Sequence, residues 1–162
     1  MDELLAEIES EESVDMRSLN HSAIQVNLAF LLKRIGTFSV YTELSLDTSQ
    51  LDKTKYKFRE EIKPDVCIYP KRGLSRPYDI LKMAEMPLLA MEILSPKQGL
   101  QEIVEKIDAY FALGVRSCWL IDPTTAIVVV YSALDVHKVF SSGEVVDDTI
   151  GIRLPFDEIF EA

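Results

Sequence analysis

The sequence predicts an α/β (or α+β) fold with a mixed central sheet, and three observations predict it. Residues 87–94 form a nearly continuous apolar run, as a strand buried on both faces requires. Residues 99–113 then repeat Ile103, Ile107, Tyr110 and Phe111 at helical intervals. Residues 117–121 return to an apolar strand, so the three make a strand–helix–strand crossover whose strands pair in parallel. At 162 residues and 48% apolar, the chain can bury one well-packed core. Residues 17–162 are expected to form that single domain behind an acidic arm over residues 1–16, where Leu4, Leu5 and Ile8 are spaced for a short helix.

The elements follow in order. From Ser18, Ile24, Leu28, Leu31, Leu32 and Ile35 recur at helical spacing, and Gly36 is a natural stop. Residues 38–46 alternate as a half-buried strand. A lysine-rich connector leads to residues 64–69, a short strand closed by Pro70. Residues 71–85 read as an irregular excursion with a helical turn near 79–83. Ser95-Pro96 ends the central strand, and Gly114 ends the helix after it. Asp122-Pro123 turns the chain. Residues 127–131 and 136–140 form a hairpin-like pair, and residues 150–160 a strand followed by a short helix opened by Pro155.

Composition excludes some classes of function. No run approaches the roughly 18 apolar residues of a membrane span, and the acidic N-terminus lacks the basic start of a secretory signal, so a cytoplasmic, membrane-free protein is expected. Cys67 and Cys118 sit in apolar, strand-like runs with neither disulfide-framework nor metal-ligand spacing, which predicts buried free thiols. The net charge of −10 argues against a nucleic-acid partner, because phosphate neutralisation supplies most non-specific affinity. The charge is uneven, however. Residues 53–76 hold eight basic and three acidic side chains, a net +5 that leaves −15 for the remainder. A cationic segment beside carboxylates suits a polyanion; a solvated loop would look the same.

Three acidic residues stand where apolar ones are expected. Glu43 falls in the first strand, Asp65 follows Pro64 at the start of the second, and Glu92 interrupts Leu-Leu-Ala-Met-Glu-Ile-Leu. A carboxylate in a central strand is costly to bury unless paired or bound to a cation. Two readings stay open. Adjacent strands could gather the three around a hard cation such as Mg²⁺, or Glu92 could pair with a buried Lys or Arg. On the following helix Glu102, Lys106 and Tyr110 share one face at intervals of four; taken alone, a Glu–Lys pair so spaced reads as a surface salt bridge.

These residues together carry a resemblance. Pro64-Asp65-Val66, Glu92-Ile93-Leu94-Ser95-Pro96, Lys106 and Tyr110 ahead of Gly114-Val115, and Cys118-Trp119-Leu120-Ile121-Asp122-Pro123 resemble a family of bacterial restriction-endonuclease-like proteins in the PD-(D/E)XK nuclease superfamily. The resemblance runs from about His21 to Phe156. It implies a restriction-endonuclease-like mixed sheet flanked by helices, and Mg²⁺-dependent hydrolysis of DNA phosphodiesters, with Mn²⁺ as a substitute. Asp65 and Glu92 would be metal ligands, joined by the Ile93 carbonyl, with Glu43 as an additional acid and Lys106 as the catalytic lysine; a homodimer is expected. The superfamily lysine lies two residues after the second acid, where this chain has Leu94. Lys106 on the next helix is the matching position, with Gln98 and Lys97 as further polar candidates. His21 matches a first-helix histidine and reads as a capping or core residue. Tyr110 and Trp119 read as core, and Asp122 as shaping its turn. The competing reading is a nuclease-like domain that has lost catalysis and serves as an interaction or assembly module, which the acidic balance favours. A small-molecule enzyme has little support without a glycine-rich phosphate loop or a nucleophile elbow.

Overall fold

A computed structural model describes residues 17–58 and 60–161; the acidic arm expected over residues 1–16 lies outside them. The first helix, α1 (Leu19–Ile35), is capped by Ser18, whose Oγ accepts from the His21 amide. Gly36 closes it in the left-handed conformation (φ 88°), which costs glycine little. The strands follow as β1 (Phe38–Thr42), β2 (Leu46–Asp47), β3 (Glu61–Ile62), β4 (Val66–Pro70) and β5 (Leu89–Ile93). Helix α2 (Leu100–Leu113) leads to β6 (Ser117–Asp122), β7 (Ile127–Ala133), β8 (Val136–Phe140), β9 (Glu144–Asp147), β10 (Ile152–Pro155) and the short α3 (Phe156–Ile159).

Six strands make one sheet in the order β1-β4-β5-β6-β7-β8. Only β5 and β6, the strands joined through α2, pair in parallel, so the sheet is mixed as the crossover predicts. Period-2 alternation sorts its residues into two cores. Val66, Ile68, Leu89, Met91, Ile93, Trp119 and Ile121 pack toward α1, β9, β10 and α3. Cys67, Tyr69, Ala90, Cys118 and Leu120 pack toward α2 and the β2–β3 pair. This two-sided burial is why β5 reads as a continuous apolar run. Each aliphatic side chain so buried contributes about 1.5–3 kcal/mol.

Two expectations are corrected. The strand expected over residues 38–46 breaks at Glu43, which adopts a left-handed conformation (φ 52°) and lies one residue past β1. Its amide there reaches the carbonyls of Pro64 (3.1 Å) and Asp65 (3.3 Å), so the break is fixed by the next strand's entry. The helical turn expected at 79–83 is absent. Met83 instead makes an isolated parallel bridge to Leu46, with its amide on the Ser45 carbonyl and its carbonyl receiving the Asp47 amide. Its side chain joins the core beside α2. The hairpin of β7 and β8 is antiparallel as expected, and Asp122 shapes the turn between β6 and β7 by accepting from Thr124 N and Thr125 Oγ1. Both cysteines are free and buried, and burial pushes the Cys67 thiol up to about 12.

Candidate active site

Antiparallel pairing of β4 with β5 sets Val66 opposite Met91. Asp65, one residue ahead of β4, keeps its amide on the Met91 carbonyl, and this brings it beside Glu92 at the cleft. Both are buried, at 5% and 1% exposure, and both line an open cleft of about 320 Å³. The remaining wall includes Arg17, Lys63, Gln98, Glu102 and Lys106.

Asp65 is held from the α1 side. Its Oδ1 lies 3.2 Å from His21 Nε2, and its Oδ2 accepts from the Ile93 amide at 2.7 Å. Its backbone is held as well: the amide donates to Met91 O, and the carbonyl accepts from Gln25 Nε2 at 2.9 Å. Burial alone would raise its pKa. The His21 and Ile93 hydrogen bonds, with the His21 and Lys106 charges, outweigh it and hold the carboxyl below the usual range. The Ile93 carbonyl leaves β5 on the same side as its N–H, toward Asp65.

Glu92 is held from the other side. Lys106 Nζ lies 2.5 Å from Oε1, and Tyr110 donates to the same oxygen at 2.6 Å. Both contacts fall on Oε1, so Oε2 is the oxygen left for a ligand. Burial pushes this carboxyl up to about 7; Lys106 pulls against it and the neighbouring Asp65 charge adds to it. Lys106 Nζ also donates to Lys63 O at 3.2 Å, and its side chain is 17% exposed at the cleft rim. Leu94 packs against the core beneath α2. The ammonium therefore enters from the helix where the strand offers an apolar side chain.

Asp65, Glu92, Lys106 and the Ile93 backbone are thus brought together. Glu43 is not: its carboxylate pairs with Arg17 at 3.0 Å, and its side chain is 46% exposed. Gln98 lines the cleft, whereas Lys97 is exposed outside it. Trp119 is core, with its Nε1–H on Asp147 (2.8 Å), to which Ser117 Oγ also donates. The part played by His21 and Gln25 is missing from the sequence reading. Their signal was there: two polar residues four apart, in step with Leu28 and Leu32 on the face that α1 buries. Among the described residues, His21 Nδ1 is buried with no hydrogen-bond partner, and the Nε2 side of the ring meets Asp65. Tyr110 is core by burial, yet its hydroxyl belongs to the site.

Among the described residues, no group of three His, Cys, Asp or Glu side chains is disposed around a metal position. The available donors are two carboxylates and a carbonyl. Mg²⁺ is commonly bound in that way, through one or two carboxylates with waters and substrate oxygens filling its octahedron. The donor set fits such an ion.

A crystal structure of "a putative nuclease belonging to DUF820" from Anabaena variabilis ATCC 29413 matches with a TM-score of 0.70 at 22% identity, covering 90% of this chain and 82% of that one. At that identity the likeness is one of fold. No curated protein matches the chain. The model of the Uma2 family, described as "Putative restriction endonuclease", matches residues 7–155. A match over that span shows the family expected from the motifs: the chain belongs to the Uma2 restriction-endonuclease-like family.

Proposed function

We propose that this protein is a metal-dependent nuclease that hydrolyses DNA phosphodiesters. The observation that carries the reading is the pairing of two buried carboxylates, Asp65 and Glu92, across neighbouring strands with the Lys106 ammonium beside them in an open cleft. Asp65, Glu92 and the Ile93 carbonyl would hold Mg²⁺, or Mn²⁺ in its place. Bound there, the ion supplies Lewis-acid polarisation of a phosphodiester and a lowered pKa for bound water. His21 and the Ile93 amide keep Asp65 ionised and aimed, and Tyr110 fixes Glu92. Lys106 neutralises Glu92 in the metal-free protein. Its stem rises from α2 at the cleft rim, so rotation of its own side chain brings the ammonium to an attacking water or a phosphate oxygen. Pairing of two copies, and a cytoplasmic setting that suits two free thiols, belong to the same reading.

A second reading keeps the fold without the chemistry: an inactive nuclease-like module that binds other proteins. The net charge of −10 and the self-neutralised Lys106–Glu92 pair favour it. Calorimetric titration with Mn²⁺, run beside a cleavage assay on DNA and RNA, separates the two. The nuclease reading expects saturable Mn²⁺ binding that Glu92→Gln abolishes, and cleavage that Lys106→Met lowers at least tenfold. No Mn²⁺ heat and no cleavage would leave the module reading.

A further inference from the structure

The carboxylate cleft continues into a second one, of about 400 Å³, between the chain ahead of β3 and the exposed edge of α2. Phe58 and Glu102 line both, so the two are contiguous across this pair. One wall carries Lys55 and Lys57, both exposed, with Tyr56 and Phe58 half-buried between and beside them. The other is the acidic edge of α2: Glu102, Glu105 and Asp108. The basic wall is fixed in place. Tyr56 donates to Asp108 Oδ1 at 3.0 Å, Lys53 Nζ donates to Phe58 O at 2.9 Å, and the Phe58 ring packs against the core beneath α2.

Walls of opposite charge discriminate between forms of nucleic acid. A duplex carries phosphates along both outer edges and would press one row against Glu102 and Glu105. A single strand has phosphates on one side and bases on the other. Its phosphates suit the lysines, its base edges carry N–H donors that carboxylates accept, and an aromatic ring beside them can stack a base. We propose that this second cleft is a binding track for a single-stranded polynucleotide, with Lys55 and Lys57 on its phosphates, Phe58 stacking a base, and the carboxylate cleft at its end. The destination rests on the nuclease reading; the binding does not.

The test uses the full chain in EDTA, so that cleavage cannot intervene, and fluorescence anisotropy of a mixed-sequence oligonucleotide about 12 nucleotides long, within the range of known single-strand site sizes. The single strand is expected to bind about tenfold more tightly than the same sequence as a duplex. Lys55→Glu with Lys57→Glu changes only exposed side chains, and should weaken strand binding roughly tenfold and lower the salt slope by about one to two. Phe58→Leu, which keeps an apolar side chain against the core, should cost about tenfold. Duplex binding equal to or tighter than single-strand binding, or unchanged affinity in the double lysine variant, would overturn the track. If wild-type protein also cleaves with Mn²⁺ in that case, the nuclease reading survives alone. Strand binding lost in the lysine variant, from a wild type that never cleaves, upholds the track and removes the nuclease.

Discussion

Asp65 and Glu92 meet at one pair of strands, yet their surroundings treat them oppositely. Asp65 receives hydrogen bonds on both oxygens from rigid groups, the His21 ring and the Ile93 amide, and its carboxyl is held below the usual range. Glu92 lies deeper and concentrates its contacts on one oxygen, and burial lifts its carboxyl to about 7. The difference lies in who supplies the partners. A backbone amide and a buried ring cannot leave, whereas Lys106 stands at the rim and can. One carboxylate is fixed and ionised; the other is an adjustable seat whose charge follows what sits beside it. Two acids with separated proton affinities suit a site that must hold a cation without repelling itself.

The largest effect that would break this comparison is on the fixed side. Asp65→Asn replaces an acceptor-only group by one that must donate from one of its two positions, and both positions face donors. Either the Ile93 amide loses its acceptor or His21 must shift its proton to Nδ1, which has no partner among the described residues. The expected cost is roughly 1–3 kcal/mol, read as a lower denaturant midpoint in the metal-free protein. Unchanged stability would mean that the His21 and Ile93 contacts are incidental.

Glu92→Gln sharpens the comparison through pH. The folded pKa of about 7 lies above the ordinary 4.5, so the folded protein binds this proton more tightly than the unfolded chain. The associated stability is full below pH 4.5 and is lost as pH rises through about 7. Asp65 behaves oppositely: its contribution is present above 3.8 and disappears only in acid, below its lowered pKa. Metal-free wild type should therefore lose stability between pH 5 and 8, on the order of 1–3 kcal/mol, the opposing pull of Lys106 being already part of that pKa. Glu92→Gln should flatten that slope. It leaves Lys106 with the Lys63 carbonyl and open water at the rim, so no large loss is expected at pH 5. A fall of several kcal/mol at pH 5 would make Glu92 a structural partner of a trapped charge.

What was legible in the sequence follows the range of the interactions. The helices α1 and α2, and the crossover of β5 and β6, come from periodicity over ten or more residues. The pairs β2–β3 and β9–β10 have strands of two to four residues, too short for alternation to register. Glu92 and Asp65 stood out because a carboxylate in an apolar strand needs a reason, whereas the spacing of Glu102 and Lys106 alone reads as a surface salt bridge and the family resemblance made Lys106 a candidate. The hold of His21 and Gln25 on Asp65 spans 40 positions of sequence or more, and no local pattern says which carboxylate a buried polar residue will meet. The break at Glu43 was hidden for a related reason. Glutamate does not announce a left-handed backbone, and the carbonyls that receive its amide belong to the entry of β4.

Glu43 supplies the smallest expected effect, and it tests whether the site has two acids or three. Its backbone serves the site by binding the carbonyls of Pro64 and Asp65, while its side chain meets Arg17 near the surface. Glu43→Gln keeps the backbone and removes only that partly exposed pair, worth about 0.2–1 kcal/mol. Stability should drop by no more than this, and Mn²⁺ affinity measured by calorimetry should stay within about twofold of wild type. An Arg17→Gln variant should behave in the same way if the pair acts alone. A tenfold loss of Mn²⁺ affinity in Glu43→Gln alone would show that Arg17 releases this carboxylate to the metal position. The division between a fixed and an adjustable acid would then have to include a third.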